Sequence, residues 1–156
     1  MADQTSALLD TDRRYEGYLE IGSTGRYIGK LEDHLDITGD IFLLHTVEAG
    51  YGPEDIVERG QLTKIGTHID MGTYSTKFAN IIPANSLDMG TVVIGFHHCP
   101  VAQRTEVRSS VRSVISPGGT LVLRDHDVDN EDMWRTAALA HDTINAGIDE
   151  SWRFNR

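Results

Sequence analysis

The sequence predicts a three-layer α/β fold in which the strands of one parallel sheet alternate with helices. Apolar, β-prone runs and amphipathic segments take turns along the chain, and parallel neighbours require crossover connections of this kind. Two distant segments, 19–28 and 115–127, each join an apolar run to glycines, as two strands of one sheet would. We predict strands near residues 17–21, 41–46, 64–69, 91–96 and 120–124, and helices near residues 25–34, 53–59, 102–114 and 130–146.

The first predicted strand leads into a glycine turn. Its apolar run ends at Ile21 and is followed by Gly22-Ser23-Thr24-Gly25, where the backbone must turn sharply. A helical period then starts at Tyr27. A strand, a glycine turn and a helix N-terminus together form a cradle for a polar ligand.

The later elements carry their own start and stop signals. Pro53 lies near the first position of the second predicted helix. The last helix can be capped by Asp129 or Asn130 and is ended by Gly147. Between the third helix and the fifth strand, 117–119 is a Pro-Gly-Gly turn, which lets the chain stop, reverse and re-enter the sheet within a few residues.

Length and composition set the remaining bounds. A chain of 156 residues forms about one domain, and we assign residues 1–15 to a polar leader and 16–156 to that domain. The single Cys99 cannot form an internal disulfide, which suits a reducing compartment. No apolar run approaches the ~18 residues that span a bilayer. We therefore expect a cytoplasmic protein with no membrane partner.

The formal net charge of −10 argues against a nucleic-acid partner, because an acidic surface repels phosphate backbones. A nucleic acid could still bind if the basic residues were gathered in one local patch. Four arginines are candidates for such a patch, but three of them, Arg104, Arg108 and Arg112, have helical spacing and fit a solvated helix face equally well. The four candidates are Arg104, Arg108, Arg112 and Arg124.

Taken in order, these motifs resemble the class I S-adenosylmethionine-dependent methyltransferases over residues 17–147. The loop 20–25 is similar to the family's first motif, an acidic residue followed by alternating glycines. Segment 86–98 resembles the motif of the fourth strand, and 102–123 resembles the helix, Pro-Gly-Gly turn and fifth strand. The resemblance implies a Rossmann-like sheet with strand order 3-2-1-4-5, without the family's final strand pair. It also implies S-adenosylmethionine as cofactor and methyl transfer to a small molecule or another acceptor.

The resemblance also implies a set of cofactor contacts. Glycines in the first loop would let the backbone approach the amino-acid end of the cofactor, and Glu20 would accept a hydrogen bond from its ammonium group. A carboxylate after the second strand would hold the ribose hydroxyls. Glu20 could instead cap the following helix, His45 could replace Glu48, and Asp70 could be a solvated loop acid. The implied cofactor-binding residues are Glu20, Gly22, Ser23, Gly25, Glu48, Asp70 and His97.

Histidines and acids after the last two strands supply candidate catalytic groups. In a doubly wound sheet, ligands bind beyond the carboxyl ends of the strands. We predict His126 as a general base whose ring is oriented by Asp125 or Asp127, with His98 as the second candidate. The same residues could be structural: His97 could be a hydrogen-bonded core histidine, and the aspartates could cap turns or the last helix.

Two other classes of function remain open. A zinc, manganese or iron hydrolase would use a ligand set of nitrogen and oxygen atoms. In the first glycine loop, Thr24 and Arg26 stand where the family's second and third glycines would be. A non-catalytic interaction module would explain this altered spacing, and a homodimer could cover the sheet edge that such a module leaves exposed. The candidate metal ligands are His97, His98, Asp125, His126 and Asp127.

Overall fold

The computed structural model describes residues 2–48, 50–60, 62, 66–72, 74, 78–93, 96–125 and 130–147. The chain separates into two compact units, residues 1–125 and residues 126–156. We describe each unit by itself. The assignment of 16–156 to a single domain stays a prediction.

The first unit is built on one five-stranded sheet of order β3-β2-β1-β4-β5. Every neighbouring pair is parallel. The predicted α/β class and strand order are therefore confirmed. The strands are β1 (Arg14–Ile21), β2 (Asp36–His45), β3 (Thr67–Asp70), β4 (Leu87–Val93) and β5 (Ile115–Arg124).

Helices connect these strands. None of the described helices combines the length and the hydropathy that a membrane span requires. Short 3₁₀ turns lie at Phe78–Asn80, Phe96–His98 and Val101–Gln103. The helices are α1 (Ala2–Ser6), α2 (Ile28–Leu31), α3 (Pro53–Arg59), α4 (Arg104–Val114) and α5 (Glu131–Gly147).

The sheet carries a separate apolar cluster on each face, because successive side chains of a strand point to opposite sides. On β1, Leu19 and Ile21 belong to the cluster that contains Val107 and Val111 of α4. Tyr18, from the same strand, belongs to the cluster around α2. The first unit therefore forms three layers, with α4 and α2 on opposite sides of the sheet.

Strands β1, β2, β4 and β5 begin three to five residues earlier than the sequence predicts, and in β2 and β5 bulges interrupt the apolar pattern. In β2, one extra residue near Gly39, where φ is +80°, breaks the register with β1. In β5, Leu87 pairs with Ile115 and Met89 pairs with Thr120, so the Pro-Gly-Gly segment bulges out between the two pairs. The predicted turn exists, but it lies within β5.

Helix α2 is much shorter than the predicted 25–34. The backbone N–H groups of Gly25, Tyr27 and Ile28 all donate to the carboxylate of Glu20. These groups lie before the first intrahelical hydrogen bond, so Glu20 supplies acceptors that the N-terminus of a helix lacks. The helix starts at Ile28, and the chain leaves it through Leu35 to enter β2.

The second unit contains α5. Asn130 caps this helix, since its Oδ1 accepts the N–H of Met133 at 2.9 Å. Glu131 and Arg135 form an ion pair at 2.7 Å along the exposed face. Asp129, the other predicted cap, lies outside the described residues.

Candidate active site at the carboxyl edge of the sheet

All five strands end at one edge of the sheet, because every pair is parallel. The glycine loop follows β1, Glu48 follows β2, Asp70 ends β3, His97 follows β4 and Asp125 follows β5. The predicted site residues on the described part of the chain therefore share one edge. This is the edge at which ligands bind in open α/β sheets.

Glu20 organises the glycine loop from below. Its side chain is fully buried, at 0% exposure. Oε1 accepts the N–H of Gly25 at 3.1 Å and that of Tyr27 at 3.4 Å, and Oε2 accepts the N–H of Ile28 at 3.0 Å. Tyr18 Oη donates to Oε2 at 3.1 Å. The carboxylate thus makes the contacts of the capping alternative, and its role toward a cofactor stays a prediction.

Two buried polar residues extend this network, and the sequence analysis missed both. Tyr18 Oη is also hydrogen-bonded to Thr91 Oγ1 on the neighbouring strand β4. Burial, and then the charge of Glu20, raises the pKa of Tyr18 well above its usual value, so the phenol stays protonated and can donate. The spacing of Tyr18 and Glu20, two residues apart, was the available signal, because it places both side chains on the same face of β1.

Gly22 leaves open space at the end of β1. Its φ is +82°, and a Cβ built on it would meet nothing within 4 Å. A Cβ on Gly25, where φ is +93°, would instead meet Leu43 Cδ1 at 3.3 Å. Ser23 Oγ accepts the N–H of Arg26 at 3.2 Å. Gly22 is therefore the loop residue that leaves room for a ligand, while Gly25 and Ser23 hold the loop's own shape.

The two predicted carboxylates follow or end the neighbouring strands β2 and β3. His45 is in register with Asp70. Both Glu48 and Asp70 are exposed, and Asp70 Oδ1 accepts the N–H of Gly72 at 2.8 Å. His45 contacts its own loop, with Nδ1 within 3.2 Å of the N–H of Val47. The structure thus leaves Glu48 accessible and turns His45 toward the backbone of the loop.

His97 and Asp125 meet across the ends of β4 and β5. His97 Nδ1 lies 2.6 Å from Asp125 Oδ1, and the backbone N–H of His97 donates to Asp125 Oδ2 at 2.9 Å. The carboxylate therefore holds both the ring and the backbone of His97. A carboxylate on Nδ1 favours the tautomer with the proton on Nδ1. The sequence predicted Asp125 as the acid that orients a histidine ring, but the predicted histidine was His126 and the observed one is His97.

Arg104 holds the turn that carries His97, and the sequence analysis gave it no such role. Its Nε donates to the carbonyl of Cys99 at 3.0 Å, and its Nη2 donates to the carbonyl of His97 at 3.1 Å. The ring of the exposed His98 lies 4.0 Å from the ring of His97. The predicted base His126 and the acid Asp127 lie outside the described residues.

A groove of about 370 Å³ runs between α4 and β5. Leu121 and Leu123 form one wall and are 43% and 54% exposed. Val107 and Val111 of α4 form part of the opposite wall. Within the described part of the chain, no strand other than β4 pairs with β5, so β5 is an edge strand.

The described residues contain no group of three or more His, Cys, Asp or Glu side chains that could hold a metal ion. His97, His98 and Asp125 are the described members of the predicted metal set. His97 and Asp125 are in direct polar contact, with Nδ1 of His97 2.6 Å from Oδ1 of Asp125. That nitrogen is thus occupied by the carboxylate, as in an imidazole–carboxylate pair.

Comparison with solved structures identifies the fold. A methyltransferase from Aquifex aeolicus, described as dependent on S-adenosylmethionine, matches with a TM-score of 0.56 and 15% identity, over 90% of this chain and 77% of that one. The YcgJ protein of Bacillus subtilis matches with a TM-score of 0.61 and 14% identity, over 90% of this chain and 56% of that one. This chain has the fold of the class I S-adenosylmethionine-dependent methyltransferases.

A third match is a complex described as DhpI-SAM-HEP, with a TM-score of 0.55 and 18% identity, over 87% of this chain and 57% of that one. This chain thus spans 77% of the length of the Aquifex aeolicus protein and little more than half the length of the other two proteins. No family model matches the sequence, and no curated protein matches it.

Proposed function

We propose that this protein binds S-adenosylmethionine at the carboxyl edge of its sheet and transfers the methyl group to a small-molecule acceptor. The observation that carries the proposal is the open space above Gly22, at the end of the central strand β1. Solved structures with the same fold include methyltransferases described as dependent on S-adenosylmethionine. The bound cofactor would supply an electrophilic methyl group.

The residues of this edge fit such a cofactor. The loop after β1 is held rigidly by buried Glu20, so the backbone at Gly22 is preorganised to face a ligand. Exposed Glu48 can accept from both ribose hydroxyls. We propose that Asp70, at the end of the neighbouring strand β3, contacts the adenine end of the cofactor. In this proposal Glu20 acts through the loop, and contact with the ammonium group passes through loop atoms or water.

The pair His97–Asp125 supports a role in proton removal. Asp125 fixes the orientation of the ring through Nδ1. The other ring nitrogen, Nε2, is buried in this structure. In the proposal it becomes accessible when the methyl acceptor binds, and it then takes the acceptor's proton. We therefore propose His97 as the general base, with Asp125 as the residue that positions it. His126 remains the alternative base predicted from the sequence.

Binding of S-adenosylmethionine, measured by isothermal titration calorimetry, tests the proposal at Gly22. We expect the wild-type protein to bind both S-adenosylmethionine and S-adenosylhomocysteine. The substitution Gly22→Val should reduce affinity at least tenfold, or about 1.4 kcal/mol, because a branched side chain would fill the open space. The matched control is Gly118→Val. Gly118 has φ +83° and equally open surroundings, but it lies in the bulge of β5, near the amino end of that strand.

The control separates backbone strain from loss of the ligand site. Both variants introduce a side chain at positive φ, so both should lower stability to a similar degree. If neither cofactor binds the wild-type protein at millimolar concentration, methyl transfer is wrong and the interaction-module alternative gains support. If Gly118→Val reduces affinity as much as Gly22→Val, the site is not at Gly22.

We also propose that the protein is a cytoplasmic homodimer. The buried free thiol of Cys99 suits a reducing compartment. The β5 edge, which no described strand other than β4 pairs, carries the exposed Leu121 and Leu123 and suits pairing with a second copy. Sedimentation-velocity measurements should show a dimer that the substitution Leu123→Glu converts to monomer. A wild-type monomer at high micromolar concentration would exclude the dimer.

A further inference from the structure

The last residue of α3 is a buried arginine. Arg59 is only 2% exposed. Side chains on a helix lean toward its N-terminus, and Arg59 follows this rule, because its Nη1 donates to the carbonyl of Gly50 at 2.8 Å. Its guanidinium carbon lies 6.0 Å from the centre of the Tyr51 ring. Arg59 therefore lies beneath the loop that follows Glu48, at the carboxyl end of β2.

Two of its nitrogens have no acceptor on the described part of the chain. Neither Nε nor Nη2 of Arg59 has a hydrogen-bond acceptor among the described residues, and no ion pair of Arg59 with one of them is found. These are the two nitrogens on one edge of the guanidinium, and their N–H bonds point the same way. That edge is the fork that binds a carboxylate or a phosphate through two parallel hydrogen bonds.

A buried cation with unpaired donors is unstable unless something compensates for it. Burial removes the water that would otherwise solvate the guanidinium, and each unsatisfied donor adds to the cost. One hydrogen bond to Gly50 does not neutralise the charge. An oxyanion would supply acceptors for both nitrogens at once.

We propose that Arg59 is the anchor of an oxyanion-binding site, which takes a carboxylate or a phosphate side-on at Nε and Nη2. The ring of Tyr51 lies over the guanidinium and is itself 69% exposed. Rotation of this exposed side chain would admit an anion from solvent. The site lies next to the proposed ribose end of the cofactor site, but it does not depend on methyl transfer.

Titration with inorganic phosphate and with acetate tests the site, at constant ionic strength and with chloride as the reference anion. We expect at least one of the two oxyanions to raise the midpoint of thermal unfolding above that in chloride, because an anion that binds only the folded state stabilises it. In the wild-type protein, the NMR resonance of the Arg59 Nε–H group should shift during the same titration. The stronger response identifies phosphate or carboxylate as the preferred ligand.

The substitution Arg59→Gln should reduce the affinity for that anion at least tenfold. Arg59→Lys keeps the charge but removes the fork, so it should also lose most of the affinity. The matched control is Arg26→Gln. Arg26 is exposed and lines a shallow cavity together with Pro53 and Val57 of α3. It therefore carries the same charge as Arg59 and lies beside the same helix. Arg26→Gln should leave anion binding unchanged.

Three results would overturn the proposal. The first is a wild-type protein that responds to phosphate and acetate no more than to chloride. The second is an Arg59 Nε–H resonance that does not move, a result that needs no variant to fold. The third is an Arg59→Gln variant that retains the wild-type response. None of these measurements uses S-adenosylmethionine, so the oxyanion site and the methyltransferase proposal can fail separately.

Discussion

Replacing Glu20 with glutamine should destabilise the protein by about 3 kcal/mol, because a buried donor that loses its acceptor costs about 1–3 kcal/mol. The carboxylate divides four donors between its two oxygens. Glutamine keeps one oxygen and replaces the other with an NH₂ group, which cannot accept. Either Gly25 and Tyr27 or Ile28 must then lose the acceptor, whereas Tyr18 Oη can turn to donate to Thr91 Oγ1. Urea unfolding, followed by circular dichroism, measures the loss.

The same substitution should also weaken binding of S-adenosylmethionine, because the loop at Gly22 would lose the group that holds it. A suitable control is Glu106→Gln, which removes a charge from the exposed face of α4 and should change the free energy of unfolding by less than about 0.5 kcal/mol. A Glu20→Gln variant as stable as wild type would show that the buried network does not hold the loop.

Replacing Asp125 with asparagine should reduce methyl-transfer turnover by about 10²- to 10⁴-fold, the usual contribution of general acid–base catalysis. Asp125 accepts from both the ring and the backbone N–H of His97. An asparagine can present its NH₂ group to Nδ1, which would fix the wrong tautomer and leave the proton on Nε2. His97→Gln should cause a similar loss. The rate of S-adenosylhomocysteine formation, with an acceptor found by screening, measures both.

Cofactor affinity separates this catalytic role from a structural one. We expect Asp125→Asn to change the affinity for S-adenosylmethionine by less than about threefold, since the pair is assigned to the acceptor and not to the cofactor. His98→Gln is the neighbouring control and should retain most of the turnover. If His126→Gln abolishes turnover while His97→Gln does not, the base is His126, as predicted from the sequence.

The sequence predicted where the candidate site lies in the fold, but it did not predict which side chains contact each other there. Parallel strands bring their carboxyl ends to one edge, so the residues after each strand had to share that edge once the strand order was known. Which histidine meets Asp125 depends on how the chain turns after β4, and Arg104 helps to set that turn through two backbone carbonyls. No local sequence pattern reports such a contact.

Glu20 shows the same limit in a single residue. Its place before the glycine turn predicted a functional role, and the sequence left cofactor contact and helix capping both open. The choice depends on the fold of the loop, which returns three backbone N–H groups to the carboxylate. Arg59 gave no sequence signal, because its burial comes from packing and from the position of Gly50.

The sequence by itself determined the class of fold. Apolar runs with the period of a strand, helical periods between them and glycines after the first strand are local features, and the parallel sheet follows from their alternation. The tertiary structure decided which polar groups meet: Glu20 with the loop above it, and His97 with Asp125. His97 and Asp125 are far apart in the chain. Glu20 and its partners are close in the chain, but they meet across a turn whose path no local sequence pattern determines. They form only when the strands and loops have taken their places, so their physical cause lies in packing.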